Sequence, residues 1–379
     1  MNPSRSFRCV LMVLGGAAAV VAGVVAVPAT GGAIDDRGSV QVSGSYRPVA
    51  GDFDGDGFGD IFWYRPGSGP DPIWFGSSNG WTGRTSTTEQ VYGDYQVVAG
   101  DFGGDGIDDL LLHRPSQTTD VLWTFDGNGD HAAATVPGRL GEEPSRPEVP
   151  LVGHFDGDER DDVLWYGPGN DADSIWLARG TSFQSTALSI NGTYRPAVGD
   201  FDGNGSDDVL WGHNAGAQPL WLATGASGPT CSDCFTRTSR TFSGAGSVAV
   251  PADVDGDGRT DIVWYGAGSG ADALWRATGS GAFFESPLSI SGSYQPIVRE
   301  AFNQDQIVWY SPGGTESQWF YDGGRFVSEA FPQVGAGLVP LVGVHRGPFP
   351  DEDIFFYGAG STPDVQTYVS DSSLQRVRS

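Results

Sequence analysis

Lysine is absent. All 21 basic residues are arginine, set against 47 acidic ones, for a formal net charge of −26. That balance argues against nucleic acid and against an anionic membrane surface as partners, because both repel a chain of the same sign. Histidine occurs only five times, at 113, 131, 154, 213 and 345, with no metal-ligand spacing among them. His113 and His213 stand where other repeats carry a strand-ending tyrosine or its neighbour, so a structural role fits them better. No Gly-x-Ser-x-Gly elbow, His-Glu-x-x-His pair or sialidase-type Asp-box occurs, and the paired acids all fall in the repeated loops described below. The arginines are scattered rather than clustered, which leaves nothing to grip a polyphosphate. Helical apolar periodicity is missing beyond the N-terminal segment.

Cysteine is scarce too. Cys9 lies in a run that opens with Arg5 and Arg8, continues as an apolar stretch over 9–27 and ends at Val27-Pro28-Ala29. A positive start, an apolar middle and a small-residue site are the marks of a secretory signal, expected to span 1–29. An uncleaved anchor is the alternative, since the run approaches the length of a membrane span. No second run of that length follows, so the mature chain is expected to be secreted, extracellular and free of the membrane, after a short linker over 30–38. Cys231 and Cys234 remain, as Cys-Ser-Asp-Cys. With no second pair for zinc and an oxidising compartment, a local disulfide stapling a surface loop is expected; a loop so short gains little from its closure.

What the chain has instead is one sentence written repeatedly. Asp52-Phe53-Asp54-Gly55-Asp56-Gly57-Phe58-Gly59-Asp60 places carboxylates at loop positions 1, 3, 5 and 9 and glycines at 4 and 6. A hard cation such as Ca2+ takes six to eight oxygens at about 2.3–2.6 Å, and aspartates on alternate residues of a tight turn can converge on one. Position 7, Phe58, would contribute only its carbonyl. The same loop returns with Asp200, Asp202, Asn204, Ser206 and Asp208, and with Asp253, Asp255, Asp257, Arg259 and Asp261. Two copies are altered. Asp101, Asp105, Ile107 and Asp109 keep the frame with Gly103 at position 3. Asp156, Asp158, Arg160 and Asp162 keep it with His154 at position 1. Up to five Ca2+ ions are therefore expected. Two further copies are eroded, the one at Glu300 two residues shorter and the one at Val344 one longer, so the oxygen cage is lost and no metal is assigned to them.

Each loop leads into a β-branched and aromatic run such as Ile61-Phe62-Trp63-Tyr64 or Ile262-Val263-Trp264-Tyr265, which reads as a strand. Position 1 falls at residues 52, 101, 154, 200, 253, 300 and 344, a period of about 49. Each unit contains four short strands joined by the acid loop, a Gly/Pro turn and a polar turn. The expected fold is all-β, a seven-bladed β-propeller over 39–370 with the loops between strands 1 and 2, followed by a polar tail over 371–379. Residues 40–43 resemble the outermost strand of inner blades but have no blade before them. They are expected to complete blade seven and close the ring, which removes exposed edges.

The loop Asp-x-Asp-Gly-Asp-Gly-x-x-Asp followed by Ile/Val-x-Trp-Tyr resembles the FG-GAP or VCBS-type repeat, which builds integrin α-subunit heads and many secreted bacterial proteins. The resemblance implies calcium loops on the face opposite the usual ligand-binding loops. Eleven of the twelve tryptophans fall at repeat positions, which favours inter-blade core over sugar-stacking platforms; Trp81 alone stands outside the pattern. The strand 2–3 turns and strand 4–1 links remain for binding, with Tyr46, Arg47, Tyr194, Arg195, Tyr294 and Trp81 as candidate contacts. The expected role is a monomeric, non-catalytic binding or adhesion module for an extracellular protein or glycan. A propeller lyase or hydrolase, or a purely structural surface protein, are the alternatives.

Overall fold

The computed structural model describes residue 42 and residues 44–367, apart from 78–85, 116, 140–147, 215, 227–230, 232, 243, 245, 302, 312–313, 346–351, 361 and 363. The expected signal segment, the linker, Trp81 and the polar tail lie outside these residues. Within them the chain forms seven antiparallel sheets, six of four strands and one of three, each in sequential order. The first strands are Arg47–Gly51, Gln96–Gly100, Val149–Gly153, Arg195–Gly199, Val248–Ala252, Gln295–Ala301 and Leu338–His345. Each touches the first strand of the next sheet, and the last touches the first, so they form a closed inner ring. The sheets are the blades of a β-propeller, numbered here one to seven in chain order.

The core is divided accordingly, into seven hydrophobic clusters with one at each blade interface. This explains the two kinds of strand pattern. Second strands such as Asp60–Tyr64, Asp162–Tyr166 and Asp261–Tyr265 are buried along their whole length, because both faces meet a neighbouring blade. A strand covered on both sides carries an unbroken apolar run. The outermost strands, such as Ser86–Glu89 and Phe183–Leu188, expose alternate residues in step with the pleat. All eleven repeat tryptophans lie in or against the interface clusters, which is the structural role expected of them.

The Trp-Tyr pair that ends strand 2 makes the joint. The tryptophan faces the preceding blade and the tyrosine faces the following one. Tyr357 meets Trp63 at 5.0 Å between ring centroids, Tyr166 meets Trp211 at 5.1 Å, and Tyr265 meets Trp309 at 5.0 Å. Such inclined ring contacts add about 0.5–1.5 kcal/mol beyond the area they bury. Blade two has His113 instead, 4.4 Å from Trp165. Blade four has Gly212, and there Phe242 from the end of the outermost strand stacks on Trp264 at 4.3 Å.

A second set of repeated acids, distinct from the loop acids, fixes the opposite end of each blade. Asp71 accepts the N–H groups of Arg65 and Val91, and Asp173 those of Gly167 and Ile190. Asp272 does the same for Gly266 and Ile290. Glu316 takes the N–H of Val334 in blade six, and Gln218 that of His213 in blade four. In blade two, Asp120 pairs with His113 Nδ1 at 2.8 Å. Beside these, the hydroxyls of Tyr64, Tyr166 and Tyr265 donate to the carbonyls of Gly93, Gly192 and Gly292. They also accept the N–H groups of Tyr95, Tyr194 and Tyr294. The glycine of each Gly-x-Tyr link has φ of 133–138°, and a Cβ there would meet the tyrosine ring at 2.5–2.9 Å. Only glycine fits both demands.

Blade seven reproduces this knot with the N-terminus of the chain. Val42 N–H donates to Asp364 Oδ2 at 2.7 Å, Tyr357 OH donates to Gly44 O at 2.8 Å, and Tyr46 N–H donates to Tyr357 OH at 3.0 Å. Gly44 bridges Gly360 as Gly192 bridges Gly169 in blade three. The part of the closing segment that is described thus sits where an outermost strand leads into the next blade. Tyr357→Phe removes a donor and an acceptor that span more than three hundred residues, whereas Tyr64→Phe removes the same pair within two neighbouring blades. We expect a loss of about 1–3 kcal/mol for each from the unpaired backbone groups. The loss should be larger for Tyr357→Phe, which also loosens the ring. Urea unfolding of both variants checks this, and equal losses would show that the closure adds nothing beyond local hydrogen bonds.

Candidate metal centres and the opposite face

The acid loops and the strand 3–4 turns share one face, and the strand 2–3 turns and strand 4–1 links share the other. The last loop aspartate makes this division. Asp60 Oδ2 accepts the N–H of Phe53 at 2.7 Å and its Oδ1 that of Gly76, at the end of strand 3, at 2.7 Å. Asp208 does so for Phe201 and Ala223, and Asp261 for Val254 and Ala277. Position 2, apolar in all five loops, is buried beneath. Position 1 accepts from the position-6 glycine, as Gly57 N–H to Asp52 Oδ2 at 2.9 Å and Gly258 N–H to Asp253 Oδ2 at 2.9 Å. Those glycines have φ of 82° and 88°, the left-handed region the turn requires.

In blades one, four and five this folding draws three carboxylates together. One oxygen from each of Asp52, Asp54 and Asp60 lies within 4.8 Å of the others, and so for Asp200, Asp202, Asp208 and for Asp253, Asp255, Asp261. Asp52 Oδ1 and Asp255 Oδ1 are buried and accept no hydrogen bond. A buried anionic oxygen without a donor is costly, and an oxygen-seeking cation satisfies it. The donor set therefore fits a hard divalent ion. The position-5 side chains are not drawn in: Asp56, Asn204 and Asp257 instead accept the N–H of Phe58, Ser206 and Arg259.

Residues 45–86, which contain the loop of blade one, match the FG-GAP repeat family. The chain is a β-propeller with one repeat of the FG-GAP type. A lectin of Agrocybe aegerita, described as recognising non-reducing terminal N-acetylglucosamine, is similar to it in structure. That similarity has a TM-score of 0.58 at 15% identity, over 76% of this chain and 80% of that one. BBS1N, from its complex with ARL6DN soaked with lead, superposes with a TM-score of 0.51 at 11% identity, over 88% of this chain and 94% of that one. At these identities the likeness is one of fold. No curated protein matches the sequence.

The two altered loops of the propeller differ from the other three. In blade two Gly103 brings no carboxylate, and its N–H is held by Asp109 Oδ2 at 2.8 Å. In blade three Asp156 and Asp158 both face the guanidinium of Arg179, at 2.9 and 3.3 Å, whereas in blade five Arg276 approaches Asp255 alone, at 3.2 Å. The eroded loop of blade six has become a hairpin, with Glu300 paired to Asp305 and Ala301 to Gln304. Position 8 carries a role the sequence did not suggest. Asp108, Asp161 and Asp207, together with Asp305 of the shortened loop of blade six, each accept the N–H of position 1 in the preceding blade, at 2.7–3.0 Å. Each also donates its own N–H back to that residue's carbonyl. The doubled acids that end the loops are thus clasps between blades, and their recurrence beside position 9 was the available signal.

On the far face the candidate contacts are partly committed elsewhere. The rings of Tyr46, Tyr194 and Tyr294 are half-buried, about 6 Å from Trp63, Trp211 and Trp309. Arg47 and Arg195 are exposed, the first 2.6 Å from Asp94 and the second 3.1 Å from Asn214 Oδ1. Tyr92, absent from the sequence-based candidates, is 63% exposed on this face. The Cys231–Cys234 bridge is present, but it is no surface staple: both residues are buried in the cluster of blades three and four with Phe155 and Trp221.

Burial pushes the carboxyl of Asp60 up to about 9, against the pull of the Gly76 N–H and with Asp54 adding to the rise. Burial likewise raises Asp208 and Asp261 to about 8 and Asp52 to about 6. An aspartate in the unfolded chain titrates near 3.9, so without a cation the folded state binds more protons above that pH. Stability is then greatest below about pH 4 for these groups and falls as pH rises towards 8–9. A bound cation replaces the protons and cancels the fall. We expect the melting temperature in chelator to drop between pH 5 and pH 8, and added Ca2+ to restore it most at pH 8. Asp54→Ala should reduce that gain. Parallel melting curves with and without Ca2+ across this range would refute the assignment.

Proposed function

We propose that this propeller is a secreted, monomeric, calcium-stabilised binding module that engages an extracellular protein or glycan without chemical turnover. The observation that carries the proposal is the division of faces. One face holds three near-identical acid triads, and identical loops encode no particular partner. The other carries turns of unlike chemistry on a repeated frame, such as Arg-Pro-Gly-Ser-Gly-Pro over 65–70 against Gly-Pro-Gly-Asn-Asp-Ala over 167–172. A rigid scaffold that varies only such turns is suited to recognition. Calcium is the ion the all-oxygen donor set suits best. The ring closed between blades seven and one leaves no inner sheet edge to recruit a second copy, which supports a monomer. The N-terminal apolar run and the disulfide support secretion.

Exposed Arg47, Arg195 and Tyr92 offer charge-assisted donors and an amphipathic ring, groups that suit sugar hydroxyls or a carboxylate. A glycan array with the purified chain is the direct test. Retention of a glycan with no release of reducing ends is expected, and steady release from a polysaccharide would establish a hydrolase or lyase instead. Arg47→Ala with Arg195→Ala should weaken binding at least tenfold and leave the Ca2+-induced gain in melting temperature unchanged. If Asp202→Ala abolishes binding where the protein is still folded, calcium bridges the ligand and the faces are assigned the wrong way round.

A further inference from the structure

The loop of blade three has lost two features together. Blades one, two, four and five have glycine at loop position 6 with φ of 82°, 85°, 88° and 88°. In each, its N–H is held by the position-1 aspartate at 2.8–2.9 Å. Blade three has Glu159 at position 6, outside the positive-φ region, and His154 at position 1. The His154 ring turns to Asp161 of its own loop, Nε2 to Oδ1 at 3.2 Å. The turn that presents a first-position carboxylate to an ion is therefore missing on both counts.

What remains of the acid set is nonetheless neutralised. Arg179 follows directly on the third strand, Asp173–Ala178, whose last residue donates its N–H to Asp162 Oδ1 at 2.8 Å. From there its Nη2 reaches Asp156 Oδ2 at 2.9 Å and its Nη1 reaches Asp158 Oδ2 at 3.3 Å. Arg160 Nη1 adds a contact to Asp158 at 3.1 Å. The side chain of Asp156 is 1% exposed, so its charge requires a partner, and a planar guanidinium fork supplies two directed donors at once. Gly76 of blade one matches Ala178, so the position of Arg179 is taken there by Ser77, and Asp52 Oδ1 is left without a donor. In blade five Arg276 reaches a single triad acid, Asp255 Oδ2 at 3.2 Å, and Asp255 Oδ1 is left without a donor.

We propose that Arg179 is the resident cation of blade three, so that this loop takes no metal and keeps its shape without one. The inference rests on the reading that the triads of blades one, four and five take divalent ions, and it makes the response of the ring uneven. Withdrawal of the ion loosens three loops and leaves the one between blades two and four intact.

The test uses the full chain, loaded with Ca2+, dialysed and assayed for bound metal. Three ions per chain are expected, matching the three triads. Asp54→Ala should lose one ion and Asp156→Asn none. The double variant His154→Asp, Arg179→Met, which restores the first acid and removes the guanidinium, should gain one. Loss of an ion in Asp156→Asn, or no gain in the double variant, would overturn the proposal. If the wild type binds no Ca2+ at all, the cation reading of the triads fails by itself. The Arg179 assignment is then decided by melting of Arg179→Met. A drop of equal size in Ca2+ and in chelator upholds it, and no drop refutes it.

Discussion

The aspartate that opens the second strand of five blades is the group on which the structure most depends. Asp60, Asp109, Asp162, Asp208 and Asp261 are each almost wholly buried. Each accepts one N–H from the loop before it and one from the end of strand 3. A carboxylate in that place joins three segments of a blade whose backbone donors would otherwise be unpaired. It also brings a charge into a setting that penalises it, beside further acids. The rest of the loop answers that charge. In three blades the loop gathers a converging set of oxygens suited to a divalent ion, and in blade three Arg179 pairs with the loop acids Asp156 and Asp158.

Around this group the blades vary by compensated exchanges. Where blade four loses the strand-ending tyrosine to Gly212, Phe242 stacks on Trp264 in its place. Where blade two has His113, Asp120 turns to bond it and the ring still meets Trp165. Blade six replaces the aspartate of the far-face knot with Glu316, and blade four with Gln218. In each case a buried polar atom keeps a partner and a gap in a wedge of rings is filled. Unpaired groups and voids cost about 1–3 kcal/mol each, enough to enforce such pairing in a domain of ordinary stability.

The joints between blades are what turn seven marginal sheets into one body. A single four-stranded sheet has two apolar faces and no means of covering either. Each interface here combines an apolar cluster, an aromatic contact and, at five of the seven, a backbone clasp through loop position 8. The ring is completed only because Val42, Gly44 and Tyr46 bring to blade seven the groups that every other blade receives from the chain just ahead of it.

The period, the strand count, the seven blades and the acid loops were legible in the sequence. They are local patterns repeated often enough to average out chance, as in Asp52 to Tyr64 and its copies. So was the structural role of the tryptophans, since a residue that recurs on a buried strand marks packing. What the sequence could not show was which acids share a site. Asp54 and Asp56 look equivalent in the loop, yet only Asp54 converges with Asp52 and Asp60 while Asp56 caps a backbone N–H. Asp108 looks like a spare loop acid, yet it serves the neighbouring blade, fifty-six residues away. Arg179 lies more than twenty residues from the carboxylates it neutralises, just past the end of the third strand. Those assignments depend on how sheets twist and stack, and only the folded chain brings such distant side chains within hydrogen-bonding range.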